Sequence, residues 1–414
     1  MATSTATHES YLIIGGGMPL GMTIVHQLLR RGETRVSIFE AQPLVAEQAA
    51  RLGDSVRVYV GNILTPEAIS DAVQSCGATC IIHTSVVATP TAISALYPTG
   101  PAQPSVSRAD EAKEYKAVVE VINKANTDGM RNVLAAALDS GTVTQLVYFG
   151  SADSVFDGRD RPMLREVDAQ YPPKSWFSEL DARSHGERMV LSFNGVNALR
   201  TAVIRPANLF GPGYGTLRAL RAVQARPALL AWQVGENTNL VDKTSYVNAA
   251  HAALLAADRL APAHPQHFAT AGRAFFIHDG ESRPVWDYMR TLWAATGGAR
   301  PEKPQVIGKG TVLFFAGVKD MVGNLRGDKS EVWKKTQFLC ANRTYDLSLA
   351  REVLGYAPIV SHDEGIRQTA EWWLERQLKM CKGQRAITEP VGGNAPPPYD
   401  RDEAMLLSEK SPFF

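Results

Sequence analysis

The stretch YLIIGGGMPLG, residues 11–21, runs from a short apolar segment into glycines and then into a helical pattern. Apolar residues bounded by glycine read as a buried strand, and LGMTIVHQLLRR repeats its apolar positions at helical spacing. A glycine turn in that context lets backbone approach a phosphate, whose charge then faces the helix N-terminus. Gly15, Gly16 and Gly21 are the candidate phosphate contacts. Glycine in such a turn also serves positive φ alone, so a second signal is needed. Glu40 supplies it at the end of the next apolar run, VSIFE, residues 36–40. A carboxylate there binds both ribose hydroxyls and repels a 2′-phosphate, which favours NAD over NADP.

The pattern continues outward from this turn. Strand candidates lie at 11–15, 36–40, 56–61, 80–84, 145–150 and 201–206, with helical patterns at 20–31, 66–75, 117–140 and 178–194. Such alternation predicts an α/β fold, a Rossmann-type doubly wound parallel sheet with ligands outside the carboxyl ends of the strands. The expected organisation is a disordered N-terminus over 1–9 and a nucleotide-binding domain over 10–206. A smaller C-terminal substrate-binding lobe over 207–380 and a disordered tail over 381–414 follow, the tail being rich in Pro and Gly. The lobe should carry helices at 245–259, 284–296, 347–354 and 363–378. A Pro-, Ser- and Ala-rich insertion at 89–110 falls where the mouth of the site should be, as a lid or as a plain disordered loop.

Bulk composition narrows the partners. The chain has 414 residues, 45% hydrophobic and 21% charged, with a net charge of +1. Near neutrality gives no reason to expect nucleic acid. The four cysteines have no zinc-ligand spacing and read as thiols in a reducing compartment; no metal site is expected. No apolar run reaches the ~20 residues that a spanning helix needs. The segment GTVLFFAGV, residues 310–318, reads as a core helix or substrate lid, with contact at a membrane surface as the lesser reading.

Together, several stretches resemble the extended short-chain dehydrogenases of the 3β-hydroxysteroid dehydrogenase family, especially its decarboxylating sterol-4α-carboxylate 3-dehydrogenases. The carriers are IIGGGMPLG, NTDGMRNVL (126–134), LVYFGSADSVFDG (146–158), IRPANLFGPG (204–213), NLVDKTSYVNAAHAALLAADRL (239–260), GRAFFIHDGE (272–281) and LGYAP (354–358). The resemblance implies pyrophosphate at Gly15, Gly16 and Gly21, adenine ribose at Glu40, and adenine beside Asn62 and Ile63. It also implies that Asn126 braces the central helix and that Pro206 starts the loop ordering the nicotinamide side. Met18 stands where the family has its middle glycine, so the turn should shift or hold the cofactor less tightly.

The same resemblance places a substrate-orienting Ser at Ser151 and a Tyr and Lys, four apart, on the helix WFSELDARSHGERMVLSFNG, residues 176–195. Anchors on both sides, Tyr171-Pro172 upstream and Glu187 with Asn194-Gly195 downstream, put Glu179 and Arg183 at those two places. Tyr171 and Lys174 do not restore the pair, because Pro172 and Pro173 cannot lie inside the same helix. Tyr148 and Tyr214 are other phenols able to approach. Glu179 and Arg183 share a helix face. Arg183 can take the Lys place at the nicotinamide ribose and favours an ionised Glu179. A carboxylate of ordinary pKa is a weak base for an alcohol but a good one for a carbon acid beside a carbonyl.

Three functions stay open at this point. One is an NAD-dependent dehydrogenase acting on a sterol or terpenoid-like hydroxyl, with or without decarboxylation. Another is a non-redox isomerase or cyclase of specialised metabolism with Glu179 as base. The third is an NAD-binding pseudoenzyme. Trp176, Phe177, Leu313, Phe314 and Phe315 suit a flat hydrophobic ligand of sterol, terpenoid or polyketide type. A homodimer is a further partner expectation, and the expected location is cytoplasmic, peripheral to the endoplasmic reticulum membrane.

Overall fold

The computed structural model describes residues 6–84, 108–325 and 331–388. Its central sheet contains β1 Tyr11–Ile14, β2 Val36–Glu40, β3 Val56–Val60, β4 Cys80–His83, β5 Gln145–Phe149, β6 Arg200–Pro206 and β7 Arg273–Ile277. They lie in the order β3-β2-β1-β4-β5-β6-β7, each parallel to its neighbours. The chain moves outward from β1 in one direction, then crosses back to β4. This reversal opens a crevice at the carboxyl ends of β1 and β4, where doubly wound sheets take their ligands.

Strand alternation divides the core in two. Ile13, Ile38, Val147 and Phe275 face α1, Pro19–Arg30, on one side of the sheet. Leu12, Ile81, Leu146 and Tyr148 face the other side, which is covered by α2 Pro66–Cys76, α3 Arg108–Ser140 and α4 Ser178–Ser192. Strands buried on both faces read as continuous apolar runs, which is why β1 and β4 were visible in the sequence. Pro19 and Pro66 begin their helices at a position needing no N–H, and Gly77 ends α2 with a left-handed φ of +58°.

Several boundaries differ from the sequence expectation. The main sheet does not close at Pro206: β7 pairs along its whole length with residues 202–206 of β6, and Tyr246–Leu260 packs its alanines on the α1 side of the core. The nucleotide-type layer is thus discontinuous in sequence, with lobe residues inserted between β6 and β7. Thr7, expected in a disordered arm, donates through its backbone N–H to Glu33 at 2.8 Å and so ties the arm to the connection between α1 and β2. At the other end a helix over His362–Thr388 runs past the expected start of the tail. The central helix begins at Arg108, inside the expected insertion, of which residues 89–107 lie outside the described part, as do residues 389–414 of the tail.

The lobe has its own small sheet, ordered Arg283–Pro284, Leu240–Val241, Arg343–Tyr345 and Arg161–Leu164. Phe210, Leu217, Leu292 and Trp373 form its main core. Residues 309–325 form a helix, as expected of GTVLFFAGV, but not a core helix: Ala316 is its one buried described residue, while Phe314 and Phe315 are 67% and 65% exposed.

Candidate active site

The turn after β1 is built by contacts that leave no room for side chains. Gly15 adopts φ +77° and lies beneath the Thr84 hydroxyl, which donates to the Ile14 carbonyl at 3.0 Å. A Cβ on Gly21 would collide with the Gly15 carbonyl, so α1 can approach the turn this closely only without one. Gly16 packs in the same way on Ile38. Met18 does not displace this turn. Its φ of −79° and ψ of 159° are ordinary extended values, and its N–H donates to the Gly15 carbonyl at 3.2 Å. Met18 is thus accommodated in the turn with an unstrained backbone.

Glu40 reaches back over the turn. Its carboxylate accepts from the N–H of Gly17 and of Ala41, both at 3.1 Å. Burial raises its pKa, and the two N–H groups oppose the rise. The carboxylate is thereby tethered at one edge of the glycine turn. Asn62 is exposed and its side-chain oxygen accepts from Leu64 N–H at 2.9 Å, stabilising the entry into α2. Ile63 is buried against Gly129 of the central helix. Pro206 ends β6, where Ala207 N–H donates to the Ile277 carbonyl. Asn126 is fully buried at the crossing of α3 and α4, where its carbonyl abuts Gly186.

Ser151 follows β5 after Gly150 and is held from behind. Its backbone N–H donates to Glu187 Oε1 at 3.0 Å, and its Oγ accepts from the Asp153 N–H at 3.2 Å. Because Oγ is an acceptor in that contact, the hydroxyl proton is left to donate to an oxygen in the crevice. Glu187 Oε2 accepts from Arg205 Nε at 2.9 Å and from the Tyr171 hydroxyl at 2.8 Å. Arg205 Nη2 also donates to that hydroxyl oxygen, at 2.6 Å. The Arg205–Glu187 pair is almost wholly buried, with side-chain exposures of 4% and 0%. Such a pair is tolerated in a core because every charged group in it is hydrogen-bonded.

Sequence reading used Glu187 only as an alignment anchor and missed this network. A signal was present: Arg205 interrupts the apolar strand TAVIRP, and a buried guanidinium demands a carboxylate. Tyr171 proves unsuited to proton transfer, as the two prolines suggested. It lies outside α4, its hydroxyl is engaged, and burial with the nearby Glu187 carboxylate pushes its phenol up. Tyr148 does not reach the crevice either. It is fully buried on the α3–α4 side under Gly186, and burial raises its pKa. The side chain of Tyr214 lies outside the described residues.

Helix α4 carries positions 179 and 183 one turn apart, ahead of Glu187. Arg183 is half-buried, on the side where its charge acts on Tyr148. The Glu179 side chain lies outside the described residues. The expected apolar contacts fall into two groups. Trp176 and Phe177, just before α4, pack with Phe156 and with Trp333 and Phe338 of the helix Val332–Cys340. Phe314 and Phe315 instead face outward on their own helix.

A glycine turn, an acidic end to β2 and a serine after β5 lie together at the carboxyl edge of a Rossmann-type doubly wound sheet. The fold matches a UDP-glucose 4-epimerase from Thermotoga maritima, with a TM-score of 0.59 at 16% identity, covering 89% of this chain and 99% of that one. It also matches a dTDP-glucose 4,6-dehydratase from Bacillus anthracis solved in complex with NAD, with a TM-score of 0.60 at 13% identity, covering 89% and 97%. The model of the 3-beta hydroxysteroid dehydrogenase/isomerase family matches residues 108–306. The sterol-4-alpha-carboxylate 3-dehydrogenase erg26, decarboxylating, of Schizosaccharomyces pombe is 30% identical over 377 residues, 88% of this chain and 97% of that protein. Its Saccharomyces cerevisiae counterpart is 28% identical over 379 residues, 89% and 98% of the two chains. The chain belongs to the 3-beta hydroxysteroid dehydrogenase/isomerase family.

Proposed function

We propose that the protein is an NAD-dependent oxidoreductase acting on the hydroxyl of a sterol- or terpenoid-like substrate. The observation that carries the reading is the joint placement of the glycine turn and of Ser151 at the carboxyl edge of one sheet. The residues present suit the cofactor: Gly15, Gly16 and Gly21 would face its pyrophosphate and Glu40 its adenine ribose, with the tight Gly15–Gly21 approach leaving backbone exposed to the phosphates. When bound, NAD supplies the hydride acceptor. The sterol-like class is supported by the names of the relatives.

Ser151 orients the carbinol by donating its hydroxyl hydrogen to the substrate oxygen, and Glu187 fixes the backbone from which it does so. Glu179 takes the acid–base place on α4 and Arg183 the cationic one beside the ribose. A carboxylate of ordinary pKa is a weak acceptor for an alcohol proton, so turnover should be slower, by up to ~10²–10⁴-fold, than with a well-matched base. Where the substrate bears a carboxyl on the carbon next to the carbinol, oxidation yields a β-keto acid. Its C–C bond then breaks to release carbon dioxide, leaving the electron pair as an enolate that is protonated.

The test is NADH formation, followed by absorbance, when the purified protein is given NAD and a panel of 3β-hydroxy sterols and sterol acids. Activity lost in Ser151→Ala supports the reading. Failure to bind NAD(H) at millimolar concentration overturns it. The missing Tyr on α4 favours one second reading, a non-redox isomerisation or cyclisation with Glu179 as base. Turnover that ignores added NAD and vanishes in Glu179→Gln would establish that instead, and tight NAD binding without turnover on the panel would point to a pseudoenzyme.

A further inference from the structure

The helix Lys309–Leu325 carries its apolar face outward. A helix on a soluble lobe ordinarily turns that stripe to the core and its polar side to water. Here Phe314, Phe315, Val318, Met321, Val322 and Leu325 all face solvent, Leu325 being 83% and Met321 59% exposed. With helical spacing these six fall within an arc of about 120°, so they form one continuous face. Thr311 is the only polar side chain in that arc, and no charged one lies there. Contiguous exposed apolar surface of this kind marks a contact site.

The inner side of the helix is occupied. Gly317 lies beside Trp333 of the helix Val332–Cys340, and Asp320 accepts from the backbone N–H groups of Val332 and Trp333 at 3.1 and 2.9 Å. That second helix is in turn fastened to the candidate site. Trp176 Nε1 donates to the Lys334 carbonyl at 3.1 Å, and Lys334 Nζ donates to the Trp176 carbonyl at 3.2 Å. The outward face is thereby held in place relative to α4, which begins just past Trp176.

The chemistry of the face selects its occupant. A protein partner makes about one hydrogen bond per 100–200 Å² of interface, and this face offers almost no group for one. Hydrocarbon asks for none, because the helix satisfies its own backbone. The bordering charges suit anionic headgroups. Lys319 is exposed at the edge of the face and Lys309 opens the helix, neither in an ion pair among the described residues. The one acid of the helix, Asp320, is turned inward to cap its neighbour. Trp333, 39% exposed beside the face, has the amphipathic ring that suits headgroup level. Lys319 and Asp320 interrupt the helix, and no helix among the described residues is long and apolar enough to cross a membrane.

We propose that this face docks on the surface of an anionic phospholipid bilayer, the helix lying in the headgroup plane with Phe314, Phe315 and Leu325 reaching the acyl chains. The docking stands apart from the dehydrogenase reading and needs neither NAD nor turnover.

The experiment is flotation of the full chain with vesicles of phosphatidylcholine alone and of phosphatidylcholine with phosphatidylserine, no cofactor or substrate being added. Wild type should float with the mixed vesicles, several-fold more tightly than with phosphatidylcholine alone, and the difference should shrink in high salt. Phe314→Ser with Phe315→Ser should lower the partition coefficient by at least about tenfold. Both rings are exposed, so the double variant should stay folded, checked by circular dichroism. Phe268→Ser, which removes an exposed ring from the separate helix His267–Thr270, should bind as wild type does. Lys319→Glu should weaken binding to the mixed vesicles and leave binding to phosphatidylcholine unchanged. Sedimentation velocity without lipid tests for a second copy instead: a dimer that the double substitution splits, with no flotation, overturns the bilayer as occupant. Wild type that floats with neither vesicle, or a double variant that floats as wild type does, overturns the docking face.

Discussion

The Glu187 carboxylate holds Ser151 by its backbone N–H at 3.0 Å while its other oxygen binds Arg205 at 2.9 Å. A helix, a strand and the turn bearing the candidate catalytic hydroxyl are thus locked by one side chain. Glu187→Gln keeps the shape but leaves Arg205 buried without its counter-charge. Breaking such a pair from one side costs about 3–5 kcal/mol. Urea unfolding should show a loss of that order. Glu187→Leu with Arg205→Met, which removes both charges, should recover much of it; no recovery would show that the hydrogen bonds to Ser151 and Tyr171 matter more than charge.

Gly21→Ala should weaken NADH binding by at least about tenfold, since the added Cβ would drive α1 away from the Gly15 carbonyl. Gly32→Ala is the matched control. Gly32 also has a positive φ, +89°, but nothing stands within 4 Å of its Cβ position. It should lose about 1 kcal/mol of stability and no affinity. NADH fluorescence and thermal unfolding of both variants separate a lost approach from a strained backbone.

Glu40→Ala should narrow the preference for NAD over NADP by about tenfold or more, because the carboxylate that would repel a 2′-phosphate is gone. The comparison is of dissociation constants for the two oxidised cofactors. An unchanged ratio would mean that the hold of Glu40 on the Gly17 N–H, seen at 3.1 Å, is its whole role.

Much of the sheet was legible because β1, β4 and β5 are short apolar runs, and β2 is nearly so, closed by glycine or polar turns. β7, RAFFI, was not read as a strand of this sheet because its partner β6 lies far upstream and local pattern does not encode distant pairing. The site was legible where chemistry is local, as in the glycine turn, Glu40 and Ser151. It was not where chemistry is assembled from distant residues. Glu187, Arg205 and Tyr171 come from a helix, a strand and a loop, and only the buried arginine hinted at the set. For the segment 310–318 the core-helix alternative fails, because Phe314, Phe315 and Val318 face outward, and local apolar content does not encode burial.

His83 makes stability fall in acid. Burial lowers its pKa to about 4 in the folded protein, against an ordinary 6.5. Between these values the unfolded chain binds a proton that the folded chain does not, so unfolding becomes easier as pH drops from 6.5 towards 4. The contribution is fully present above 6.5. His83→Phe should flatten this part of the stability profile, measured by urea unfolding at half-unit pH steps.

The break in the main layer between β6 and β7 bears on how the chain folds as it is made. An emerging chain that has reached Pro206 presents an apolar strand edge whose neighbour has not yet been synthesised. Folding of the nucleotide half must therefore wait for Ile277, and the intervening lobe residues form a long loop that is costly to close. A fragment cut at Pro206 would expose that edge permanently and aggregate, whereas a fragment extended through β7 would bury it.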